Sequence, residues 1–168
     1  MSEIVVTNRE WEILDDFKTA ITNATISAVK VFNYVAISHS EEHAYEVQME
    51  QYPTCVLVYD GTTDTWGAGD DRACQMHVNF MVGTMIDTDV GTFDETARVK
   101  ELLRLINAVK NAVYTDLPDC VQFYATENEF FEDIGWGEIT IEIDYKQPWI
   151  VAKVSLDVGF PLSGQTGH

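Results

Sequence analysis

A capped amphipathic helix followed by strictly alternating strands most constrains this chain. Thr92-Phe93-Asp94-Glu95 has the form of a capping box, in which the Thr92 hydroxyl takes an orphan N–H and Glu95 reaches back to the cap amide. Val99, Leu102, Leu103, Ile106, Val109 and Val113 then recur at helical spacing, which predicts a helix over 92–114 with one apolar face. Further on, Ile139, Ile141, Ile143 and Tyr145 alternate with Glu138, Thr140, Glu142 and Asp144, the pattern of a strand with one dry and one acidic face. A helix lying on a sheet satisfies both patterns.

The same reading extends toward the N-terminus. Thr7-Asn8-Arg9-Glu10 is a second capping box, and Ile13, Leu14, Phe17, Ala20, Ile21 and Ala24 fall on one side of the helix behind it. Residues 26–35 are rich in β-branched side chains and predict one strand. Ser38-His39-Ser40-Glu41 opens a short polar helix to about Gln51, where Pro53 stops it. The apolar run 54–59 predicts a central strand, paired as a hairpin with an alternating strand over 74–86. Between them the Gly, Asp and Thr of 60–71 predict a loop carrying Trp66. After the long helix come a short strand at 121–125, an acidic-aromatic connection at 128–136, and a hairpin of 137–145 with 149–160. In its last strand Ile150, Ala152, Val154, Leu156, Val158 and Phe160 share a face.

Runs of strands punctuated by helices predict an α+β fold, a mainly antiparallel sheet covered on one face by two amphipathic helices. The other face would keep Glu138, Glu142 and Asp144. No repeat or Pro/Ser linker divides the 168 residues, so one domain is expected, with 161–168 a flexible tail. Residues 1–6 lack the basic and apolar regions of a secretory signal, and no apolar run approaches the roughly 20 residues of a membrane span. Cys55, Cys74 and Cys120 are odd in number and lack C-x-x-C spacing, so reduced, buried thiols are expected.

Ten Lys and Arg against 28 Asp and Glu give a formal net charge of -18, the wrong sign for a free-standing nucleic-acid binder. Such charge serves solubility, and it also suits a surface past which DNA moves without being held. Candidate chemistry is sparse. His39 and His43 stand four apart, but Ser40 follows His39 where a zinc-protease helix has Glu, and they read as exposed histidines. His77 reads as a surface or interface residue without a nucleophile to serve. Asp60, Asp64, Asp70 and Asp71 lie around Gly67-Ala68-Gly69 without the ladder of a calcium loop or the Lys of a phosphate loop. Glu138 and Glu142, four apart on a strand, stand roughly 13 Å from each other, too far for a glycosidase pair. No catalytic residue, cofactor or metal is therefore expected. Lys100 and Arg104 stand one turn apart on the polar side of the long helix, either as solubilising charges or as partners for acidic patches on a neighbouring copy.

The order of elements resembles the tail terminator (tail completion) proteins of long-tailed bacteriophages. The likeness rests on the opening helix Trp11-Glu12-Ile13-Leu14-Asp15-Asp16-Phe17 and the strand Tyr52-Pro53-Thr54-Cys55-Val56-Leu57-Val58-Tyr59. It continues through the strand with Val78, Phe80 and Val82, the helix ending Ile106-Asn107-Ala108-Val109, and the closing strand Val151-Ala152-Lys153-Val154-Ser155-Leu156-Asp157-Val158. It covers most of residues 8–160 and is architectural. The resemblance implies a virion structural protein, assembled in the host cytoplasm. It would form a hexameric ring on the tail tube, end tube polymerisation and meet the head connector. Its partners would be copies of itself, the tube protein and the connector, with DNA passing through unbound and no membrane involved. Glu138, Glu142 and Asp144 would face the lumen, while Trp66, Phe130, Phe131 and Trp136, with Lys100 and Arg104, would serve as interface residues. Another neck or connector protein is the nearby alternative. A cytosolic module whose acidic sheet face binds a basic protein, and then an enzyme, are the other classes.

Overall fold

The computed structural model describes residues 8–47, 49–66, 72–85, 95–115, 136–142 and 149–161. Helix α1 (Arg9–Thr22) begins at Asn8, whose side chain accepts from the Trp11 N–H, so the cap lies one residue later than the Thr7 box predicts. The predicted strand 26–35 is broken. Ser27 and Ala28 both take positive φ (51° and 65°), which turns the chain back on itself as a two-residue hairpin between β1 (Thr25–Ile26) and β2 (Val29–Lys30). β3 (Tyr34–Ser38) follows as a separate strand. Ser40 accepts from the Glu42 N–H and opens a 3-10 helix, Glu41–Tyr45, and a second short 3-10 turn covers Met49–Gln51, in place of one polar helix.

β4 (Thr54–Trp66) and β5 (Arg72–Met85) form a long antiparallel hairpin. The predicted 60–71 loop is thereby corrected: residues up to Trp66 belong to β4, because a bulge at Asp60-Gly61, with Gly61 at φ +99°, lets the ladder resume at Thr62–Met76. α2 (Glu95–Thr115) then crosses the sheet, and β6 (Trp136–Glu142) and β7 (Trp149–Pro161) complete it. The strand order is β3-β4-β5-β7-β6, antiparallel except for the parallel pair β3–β4. β4 is thus an interior strand, while β5 occupies the centre. The predicted Thr92 cap, the 121–125 strand and residues 162–168 lie outside the described residues; Pro161 of the predicted tail is paired with Ala73 in the sheet.

Both helices cover one face, giving the expected two-layer α+β fold. Ile13, Leu14, Phe17 and Ile21 of α1 and Leu102, Leu105, Ile106, Val109 and Val113 of α2 meet Cys55, Leu57, Met76, Val78, Phe80, Val82, Ala152, Val154 and Leu156. Val99 and Leu103 leave this core. Each is 41% exposed, Val99 near the helix start and Leu103 beyond the edge of the buried arc. On the opposite sheet face Ala44 of the 3-10 helix closes a smaller apolar cluster with Val56, Val58, Met81 and Val151. Tyr34 packs against that cluster, and His77, Asn79, Ser155 and Asp157 lie on the same face.

Candidate functional site: the outward sheet face and the helix surface

Alternation on β5 and β7 assembles the polar face. Once these strands are registered, His77 stands opposite Asp157 and Asn79 opposite Ser155, all on the side away from the helices. Asn79 is the centre, only 8% exposed. Its amide donates to Glu41 of the 3-10 helix and to Asp60 of the β4 bulge, at 3.4 Å each, and its carbonyl accepts from Ser155 at 2.8 Å. Lys153 Nζ reaches the same Glu41 oxygen at 3.3 Å. Beside this group, His77 Nδ1 meets an Asp157 oxygen at 2.5 Å, both side chains partly open to solvent.

This arrangement clamps the 3-10 helix onto the sheet and presents carboxylates around a satisfied amide. The His77–Asp157 pair orients an imidazole as catalytic dyads do, but the adjacent Ser155 hydroxyl is committed to Asn79. Among the described residues no group of three or more His, Cys, Asp and Glu has metal-holding geometry. His43, expected to be exposed, is instead half-buried, with Nε2 hydrogen-bonded to the Tyr34 hydroxyl at 2.9 Å and its ring stacked on Tyr34. His39 is exposed.

The predicted site residues separate into several places. Glu138 is exposed in a second bulge: Trp136 pairs with Leu156 and Ile139 with Val154, so Gly137 and Glu138 together stand opposite Ser155. That extra residue carries Trp136 to the helix side, so Trp136 is the first residue of β6 and packs on the core rather than ending the connection expected at 128–136. Its ring packs 5.4 Å from Phe80 and 6.3 Å from Tyr114, with Lys110 Nζ 5.5 Å from its centroid. Glu142 is registered with Val151 at the end of β6. Trp66 ends β4 in register with Arg72 and is therefore a strand residue. Asp144, Phe130 and Phe131 lie outside the described residues.

Lys100 is exposed on α2. Arg104 is tied within its own helix to Glu101 through Nε (2.9 Å) and Nη2 (2.7 Å). The hydrogen bond from Arg104 holds the Glu101 carboxyl below the usual carboxylate range and raises the guanidinium in return. Of ten cations in the chain, α2 carries four (Arg98, Lys100, Arg104, Lys110) against two carboxylates, so it is a net-positive element in an acidic protein.

The sequence reading missed the clamp. Its signal was the polar alternation Gln75, His77, Asn79 against Lys153, Ser155, Asp157, which becomes a cluster only after β5 and β7 are paired.

The fold and its two unlike surfaces define a small two-layer α+β protein with a helical face and an acidic, polar sheet face. No protein-family model matches the chain, and no curated protein matches it. No helix among the described residues is long and apolar enough to cross a membrane.

Proposed function

We propose that this chain is a virion structural protein, a tail terminator that forms a ring at the head-proximal end of a phage tail tube. There it ends tube polymerisation and offers a docking surface to the head connector. The observation that supports this most is the one-sided covering of the sheet. Helices occupy one face, and the opposite face holds Glu41, Asp60, Asp157 and the exposed Glu138 around a single Lys153 among the described residues. Carboxylates in a channel wall repel phosphates, so a passing duplex is not held.

The test is to incubate purified chain with growing tail tubes and image them. Tubes of uniform, arrested length carrying a ring at one end are expected. Tubes that elongate unchanged, with the chain remaining monomeric, contradict the proposal. A monomer that instead captures a basic peptide in a salt-sensitive way favours the acidic binding module.

A further inference from the structure

The two ends of α1 differ in a way that fits one copy of the chain to the next. At its start, Trp11 is 51% exposed, and Glu12 and Asp15 stand exposed beside it on the same side of the helix. At its end, α1 and α2 border an open groove of about 550 Å³. Ala20 from α1, Ala24 just beyond its end, and Ala108 and Ala112 from α2 give it a shallow floor, the exposed Asn107 and Asn111 stand at its rim, and Arg104 lines it. Lys100 lies one turn further along α2.

We infer that the Trp11 ring of one copy seats in this α1–α2 groove of a second copy, with Asp15 facing Lys100, while Glu12 and Arg104 keep their partners Arg9 and Glu101 on their own helices. The inference rests on the ring reading above and names its interface. The occupant follows from net charge: residues 9–16 around Trp11 carry four carboxylates against Arg9, which pairs with Glu12, and they meet a groove on the net-positive helix of a chain whose net charge is -18. A large, rigid aromatic entering a preformed recess is the usual energetic centre of such a contact. Trp11 cannot reach its own groove, because roughly 15 Å of helix axis separates it from the residues at the α1 end. Knob and groove are different surfaces, so the contact is head-to-tail and generates a ring when its rotation closes.

Native mass spectrometry of the full chain, alone and on tube ends, tests this with two variants. Trp11→Ala removes the knob and keeps the groove. Asn107→Tyr with Asn111→Glu blocks the groove at exposed positions and keeps the knob. Each variant alone should lose assembly, with self-association weakened at least about 10-fold. An equimolar mixture should give a one-to-one pair, because one intact knob then meets one intact groove. Circular dichroism melts that match the wild type establish that both variants fold. Rings persisting in both single variants overturn the interface and leave the ring reading standing. Loss of assembly without the mixed pair also overturns the interface. A wild type that stays monomeric in solution and on tube ends overturns both.

Discussion

At the scale of single residues, the tightest constraint is a missing side chain. A Cβ on Gly83 would lie 2.8 Å from both Thr54 Oγ1 and Tyr52 Cε1, and those two residues are themselves buried. Gly83→Ala should therefore cost about 1–3 kcal/mol, read as a lowered denaturant midpoint with unchanged slope. Cys55 is fully buried, and burial pushes its thiol well above the ordinary range. It should resist thiol reagents in the native protein at pH 8 and react at once in denaturant; rapid native labelling at Cys55 would contradict that burial. The Glu101–Arg104 pair sets a small pH dependence. Because the Glu101 pKa is lowered in the folded state, its contribution is present above the unfolded carboxylate range and is lost as pH falls through the folded value. The pair is largely open to solvent, so Glu101→Gln should cost only about 0.3–0.5 kcal/mol at pH 7 and progressively less as pH falls and the carboxyl protonates, measured by urea unfolding across an acid pH series.

At the scale of elements, α2 separates pattern from position. Leu102 and Leu103 are adjacent and equally apolar, yet one is buried and the other 41% exposed. Leu102→Ala should cost about 2–4 kcal/mol and Leu103→Ala under about 1 kcal/mol in thermal or chemical unfolding; equal losses would contradict the packing. The helices, the β4–β5 hairpin and the dry face of β7 were legible in the sequence, because periods of 3.6 and 2 follow directly from which face is buried. What was not legible came from single backbone events. Positive φ at Ser27 and Ala28 cut one expected strand in two. The Asp60-Gly61 bulge turned an expected loop into strand, and the Gly137-Glu138 bulge moved Trp136 from the expected connection to the helix face. A composition rich in Gly, Asp and Thr describes a bulged strand as well as a loop, so only pairing decides. The Asn79 cluster was hidden for the same reason: its members lie on β4, β5, β7 and the 3-10 helix, and sheet register alone brings them together.

At the scale of the whole molecule, the two-layer fold carries two unlike surfaces: an acidic, polar sheet face and a helical face whose α2 is net positive. If the sheet face lines a channel, replacing Glu138 and Glu142 by lysine should make assembled particles retain DNA, with retention falling steeply as salt rises. DNA passage unchanged by these substitutions would place both residues away from the lumen. The central claim is that the chain acts through copies of itself at a tube end. Its most direct measurement is the copy number of the chain on isolated tail tubes, counted by cryo-electron microscopy of the head-proximal end. The account predicts one closed ring of six copies, with the strands bearing Glu138 turned toward the channel. Single copies scattered along the tube, or no bound chain at all, would contradict it.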